Sequence, residues 1–247
     1  MDVRAIRTRL FTPNEKLSKF VIEHLPKLRE GDVVVVTSKI VALAQGRIVS
    51  IRTPKEKERW IRRGSSKTVR TPWCFLTRLN GEWCASAGVD ESNADGKLIL
   101  FPENVQREAQ KLRLSLCRSF GIKKLGVILT DTRLIPMRKG AMGVAVAFSG
   151  IEPIRNYIGK LDLFGRQLKM TQTATVQPLA AAAVFAMGEG DEQKPLALIR
   201  HALIEFTKRS ISLESLIVDP ADDLYGYAYS ASVRRSRARS KPRRSVR

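Results

Sequence analysis

Residues 32–37 read Asp-Val-Val-Val-Val-Thr, four consecutive valines with Gly31 just before the segment. A run this short and this rich in β-branched side chains is a strand of the core, so the rest of the chain has to fold around it. Upstream, Leu17, Phe20, Val21, Leu25 and Leu28 recur at helical spacing, which predicts a helix over Asn14 to Arg29 that hands over to the strand at Gly31. The same unit comes again downstream. Val105, Ala109, Leu112, Leu116 and Phe120 share one helical face across Glu103 to Phe120, and Gly121 is the stop. Lys123 to Thr130 (KKLGVILT) then reads as a second core strand that delivers Asp131 and Thr132 at its carboxyl end.

Gly143 to Gly150 (GVAVAFSG) combines flanking glycines with small side chains, as a strand does where another element approaches closely. Gly159 and Gly165 mark turns in a polar, hairpin-like segment. Leu179 to Met187 (LAAAAVFAM) reads as an Ala-rich helix, with Pro178 tolerated in its first turn and Gly188 as its stop, before a closing strand at Pro195 to Arg200. Ile51 to Arg78, with nine cations, two acids and several turn residues, reads as a loop holding at most one short helix near Lys55 to Arg63.

The 247 residues, 43% hydrophobic and 28% charged, suffice for one large domain or two small ones and exclude a fibrous, mucin-like or wholly disordered chain. The formal charge is +20, but eight of the 44 cations and no acid fall in Ala231 to Arg247, which leaves the body near +12. Beyond Gly226 the composition turns to Arg, Ser and Pro, so residues 1–226 read as one folded domain and 227–247 as a basic, disordered tail. Cys74, Cys84 and Cys117 show no C-x-x-C and no zinc spacing, which suits buried thiols in a reducing compartment, with Cys84 and Cys117 in the core. His24 and His201, the only histidines, are too few for a His-rich metal centre and read as a polar helix-face residue and a helix end. The opening MDVRAIRTRL scatters charge where a secretion signal would be apolar, and no apolar run approaches the roughly 20 residues that cross a bilayer. A cytoplasmic protein with no membrane attachment is expected.

Acid is scarce, and three clusters of it stand beside glycines or element ends: Ser86 to Asn93 (SAGVDESN), Thr130 to Thr132 (TDT) and Met187 to Glu192 (MGEGDE). Carboxylates presented in this way suit Mg²⁺ or Mn²⁺, hard cations that take oxygen ligands and share their shell with phosphates. Singly, each cluster reads more readily as a cap or an ordinary turn, and only their joint reading has force.

Taken in order, SKIVALAQGRIV, ASAGVDESN, GVILTDTRLIPMRKGAMGVAVAFSGI, YIGKLDLFGRQL and LAAAAVFAMGEGDEQKP resemble the coenzyme F420:L-glutamate ligase family, from about Asp32 to Arg200. The resemblance implies an α+β fold with mixed or antiparallel sheets and packed helices, bipartite and γ-glutamyl-ligase-like, assembled as an intertwined homodimer. It implies an acid–amino-acid ligase that adds L-glutamate by an amide bond to coenzyme F420-0 or a related acceptor. GTP is then the co-substrate, two Mg²⁺ or Mn²⁺ ions assist, and an acyl phosphate is the activated intermediate. On this chain, Asp90 and Asp131 correspond to ligands of the first ion, and Thr132 and Glu189 to ligands of the second. Ser38 and Lys39 take the place of the early nucleotide-binding pair, and Asn93 that of a guanine-nucleotide contact. The loop along the nucleotide is matched by Met187, Gly188, Glu189, Gly190, Asp191, Glu192, Gln193 and Lys194, and its first segment by Leu10 and Phe11. Lys39 and Arg138 are the expected electrostatic catalysts.

Three departures bear on that expectation. Leu43 stands where the family has a nucleotide-contacting lysine, Gln177 stands where it has an acid, and the family's D-T-x-G-R becomes Asp131, Thr132, Arg133, Leu134, Ile135. They leave open a folate- or pterin-type γ-glutamyl ligase, with a pterin in place of the deazaflavin acceptor, or an inactive homologue that binds polyanions. Lys39 reads otherwise as a surface cation at a strand end. Arg138 and Lys139 read either as a solvated turn or as neutralisers of an anionic substrate, and Arg155 and Arg166 share that ambiguity. The tail reads either as a non-specific RNA contact or as a solvated extension, without the aromatic platform of a dedicated single-strand binder.

Overall fold

The valine run is the strand β2 (Asp32–Thr37), third in a five-stranded sheet of order β1 (Asp2–Ile6), β12 (Leu196–Arg200), β2, β8 (Leu125–Leu134) and β9 (Ala141–Ser149). β2 and β8 run parallel and the remaining neighbours antiparallel, so the sheet is mixed and the fold α+β. The computed structural model describes residues 1–226; the tail expected to be disordered lies outside the described residues.

Both faces of the sheet are covered, which is why the run does not alternate. Val34 and Val36 face a core shared with Leu125, Val127 and Leu129 of β8, under Phe20 and Val21 of α1 (Leu17–His24) and Ala109, Leu112 and Leu116 of α4 (Val105–Phe120). Val33 and Val35 face the opposite core with Ile128 and Phe148, under Val176, Leu179, Ala180 and Ala183 of α5 (Val176–Met187). All four valines are wholly buried. Each contributes about 1.5–3 kcal/mol relative to an exposed side chain.

A smaller layer precedes α4. After α2 (Ser38–Ala44), β3 (Ile48–Val49) pairs with β7 (Leu98–Ile99), and between them α3 (Pro54–Arg63) leads into a three-stranded sheet of β4 (Lys67–Arg70), β5 (Phe75–Leu79) and β6 (Glu82–Ala85). The short helix expected near Lys55 to Arg63 is α3, begun by Thr53, whose hydroxyl accepts from the Glu56 amide, with Pro54 at its first position. The rest of Ile51 to Arg78 is not loop but hairpin. Asn80 and Gly81 both take positive φ, 49° and 88°, and join β5 to β6 by the tight turn that an Asn-Gly pair favours. Beyond β9, β10 (Ile154–Asn156) pairs with β11 (Gln172–Ala174), and Gly159 and Gly165 make turns at positive φ in the arm between them.

The structure corrects other boundaries. The first helix stops at His24 because Leu25 precedes Pro26, which disfavours helical backbone, and Leu25 is extended at φ −76°, ψ 139°. The second core strand runs four residues past Thr130, since β9 supplies a partner beyond a bulge at Leu129/Thr130, so Asp131 and Thr132 lie inside the ladder. His201 follows a strand, not a helix, and its Nδ1 meets Asp2 Oδ2 at 2.8 Å. His24 is half-buried against the Phe20 ring, 4.4 Å between centroids. Cys84 is buried and Cys117 half-buried, but Cys74 is exposed. The close approach expected at Gly143 is met: a Cβ there would sit 2.4 Å from Val184 Cβ on α5. No helix among the described residues is long and apolar enough to cross a membrane.

Candidate active site

Because β2 and β8 are parallel, their carboxyl ends open on the same side of the sheet, the usual place for a ligand crevice in such sheets. A cleft of about 730 Å³ lies there. Its walls come from the β2–α2 junction, the segment after β6, the end of β8 and the loop after α5, with residues 8–13 at one edge.

Strand alternation distributes the chemistry of β8. Asp131 and Arg133 share one face and Thr132 takes the other. Thr132 Oγ1 donates to Glu189 Oε1 at 2.8 Å, which ties β8 to the loop after α5. Thr132 is paired across the ladder with Gly143, so α5 is pressed onto the sheet beside it. On the other face, Arg133 Nε stands 3.4 Å from Asp131 Oδ2. Burial drives the Asp131 carboxyl above the ordinary carboxylate range; Arg133 and the Thr132 amide oppose the rise, while the charges of Asp90 and Glu189 add to it. Glu82 on β6 is also raised by burial, against the pull of Arg133.

Lys39 organises the facing wall. Its Nζ lies 2.8 Å from Asp90 Oδ2 and donates to the Ser92 carbonyl and hydroxyl at 3.0 and 2.9 Å. Burial would raise Asp90, but the hydrogen bonds from Lys39 and from the Ser92 amide outweigh it and hold the carboxyl below its usual value. Asn93 Nδ2 donates to the Gly190 carbonyl at 3.0 Å and so joins this wall to the loop after α5.

The backbone of these loops is strained. Ser86, Ala87, Asn93, Asp95 and Gln193 take φ between 49° and 54°, a left-handed region that costs a non-glycine residue roughly 1–2 kcal/mol. Buried Thr77 holds the first of these turns: its hydroxyl accepts from the Ala87 amide and donates to the Cys84 carbonyl, both at 2.8 Å. Glu192 holds the last, accepting from the Gly190 amide at 2.8 Å.

Of the residues expected from the sequence, Leu10, Phe11, Ser38, Lys39, Asp90, Asn93, Asp131, Thr132 and all of 187–194 line this one cleft. Arg138 does not; it is exposed with Lys139 in the turn between β8 and β9. Phe11 also packs edge-on to Phe20, 4.8 Å between centroids, and Met187 is part of the core. Leu43 lines the cleft, whereas Gln177 faces β9, accepting from the Ala145 amide at 2.9 Å and donating to the Ala145 carbonyl at 3.2 Å. Glu82 escaped the sequence reading, and Arg133 entered it only as a departure. Counting two residues on from Asp131 along a strand would have put Arg133 on the same face.

Asp90, Asp131, Thr132 and Glu189 offer only oxygen donors, the set a hard divalent cation takes. Among the described residues no three acidic, His or Cys side chains are grouped to hold an ion as they stand, since Asp90 engages Lys39, Asp131 faces Arg133 and Glu189 accepts from Thr132.

Comparison with known proteins reaches the same segments. The family model described as F420-0:Gamma-glutamyl ligase matches residues 5–201. The coenzyme F420:L-glutamate ligase of Methanopyrus kandleri is 35% identical over 207 residues, 76% of this chain and 81% of the relative. Those of Methanosarcina mazei and Methanothermobacter thermautotrophicus are 36% and 37% identical over 192 residues, 70% of this chain and 75% and 76% of the relatives.

Proposed function

Because the chain belongs to the F420-0:gamma-glutamyl ligase family, we propose that it joins L-glutamate to coenzyme F420-0 by an amide bond, with GTP as co-substrate. The observation that carries this reading is the meeting of four separated segments, 38–39, 90–93, 131–132 and 187–194, around one cleft.

An amide does not form spontaneously from a carboxylate and an amine in water, so the carboxylate has to be activated. Transfer of the γ-phosphoryl of GTP to the acceptor's carboxylate gives an acyl phosphate and GDP. The glutamate amine then attacks the acyl carbon, phosphate leaves, and the amine's proton passes to phosphate or water. Lys39 would exchange Asp90 for a phosphate oxygen and offset its charge. Asn93 and the backbone of residues 188–194 would line the nucleotide. Asp90, Asp131, Thr132 and Glu189 would hold two Mg²⁺ or Mn²⁺ ions, which when bound neutralise phosphate charge. Arg138, outside the cleft, leaves the electrostatic role to Lys39.

A homodimer is part of this reading. Leu163, Phe164 and Met170, on the arm between β10 and β11, are 98%, 94% and 86% exposed, a concentration of apolar side chains that a second copy would cover.

The test is mass spectrometry of the full chain incubated with Mn²⁺, L-glutamate, GTP or ATP, and a panel of deazaflavin and pterin acceptors. A gain of one glutamyl unit on F420-0 with GTP is expected. A gain on a pterin alone would reassign the acceptor, and no product on any acceptor would overturn the reading.

A further inference from the structure

Arg133 is the one arginine among the described residues with guanidinium nitrogens, two of its three, shielded from solvent without a hydrogen-bond partner. Its side chain is 9% exposed, and both Nε and Nη1 lack a hydrogen-bond partner. A guanidinium carries five donors in a rigid fork and never gives up its charge, so burying it unpaired is unfavourable unless something completes it. Asp131 does so poorly: the 3.4 Å approach to Nε is an ion pair without hydrogen-bond alignment. Arg133 nonetheless lines the same cleft as Lys39, Asp131 and Thr132.

We propose that Arg133 is the receptor for a substrate oxyanion, its unpartnered N–H groups donating to a carboxylate or phosphate group that enters the cleft beside Asp131. The inference rests on the ligase reading for the identity of the substrates, but the receptor itself follows from the two buried, unpartnered nitrogens. Nε and Nη1 lie on different edges of the guanidinium, so each calls for its own acceptor oxygen, which a carboxylate or phosphate group supplies, and donors already fixed by burial lose little freedom on binding. The oxyanion has two sources in the proposed reaction: the phosphates of the nucleotide, and the carboxylates of glutamate or its acceptor.

The test compares the full-length parent with Arg133→Met, which keeps bulk and removes charge, and Arg133→Lys, which keeps charge and removes the fork. Calorimetric titration in Mn²⁺ with GTP, inorganic pyrophosphate and L-glutamate separates the sources, and thermal melts without ligand report folding. Arg133→Met is expected to melt no lower than the parent and to weaken one class of ligand by about tenfold or more, leaving the other unchanged, with Arg133→Lys between them. Weakened GTP and pyrophosphate assign a phosphate; weakened glutamate assigns a carboxylate. Equal affinities in all three proteins, a parent that binds none of the probes, or a lower melting temperature with unchanged affinities would each overturn the proposal. These titrations need no turnover, so failure of the receptor and failure of the ligase reading are told apart by whether the parent forms product.

Discussion

Burial disfavours the charged form of Asp131. Its folded pKa lies above the unfolded one, so the native chain binds the proton more tightly, and stability is lost as pH rises from the ordinary carboxylate range through the raised value. Asp131→Asn should therefore melt higher than the parent at neutral pH, and the gap should narrow toward about pH 4. Melting curves across that range check the sign, while ligation should fall by about 10²-fold or more. Gln177 makes the opposite case. Its amide both donates to and accepts from Ala145, which a carboxylate cannot do, so Gln177→Glu should cost about 1–3 kcal/mol in denaturant unfolding. The sequence marked Gln177 as a lost acid near the chemistry, because a linear pattern does not tell which face of α5 a residue takes. The family resemblance did place Lys39, Asp90, Asn93, Thr132 and Glu189 together, since each lies in a short motif that can be matched along the chain.

At the scale of elements, α5 and β9 meet where the ladder lacks a side chain. A methyl group at Gly143 would lie 2.4 Å from Val184 Cβ and 3.0 Å from the Ala180 carbonyl, so neither neighbour is a flexible tip that can swing aside. Gly143→Ala should push the helix outward, costing about 1–3 kcal/mol, and should weaken Mn²⁺-dependent nucleotide binding through the Thr132–Glu189 bond. Titration and a melt on the same preparation test both effects. The glycine-flanked segment announced this approach in the sequence. The β4–β5–β6 sheet was missed because nine cations over Ile51 to Arg78 masked the alternation that marks a strand, although Asn80-Gly81 carried the hairpin signal just outside that window.

Across the whole molecule, the basic tail and the cleft occupy separate stretches of the sequence. Eight cations lie in Ala231 to Arg247, and the cleft draws its walls from residues 8–195, so deleting 231–247 should leave ligation within about twofold while lowering retention on a polyanion resin. A large loss of rate would tie the tail to the cleft. Gel filtration with light scattering tests the second copy: the parent should run at twice the chain mass, and Leu163→Glu with Phe164→Glu should run as a monomer. The strand order carries a consequence for how the chain is made. β12 inserts between β1 and β2, pairing Leu198 with Arg4 on one side and with Val34 on the other. While the ribosome is still short of Arg200, β1 has no neighbour to join and β2 keeps one edge bare. The nascent chain thus carries its most apolar strand unpaired until β8 is made and half-paired until β12 follows, open meanwhile to pairing with another chain, and the sheet seals only when the last strand arrives.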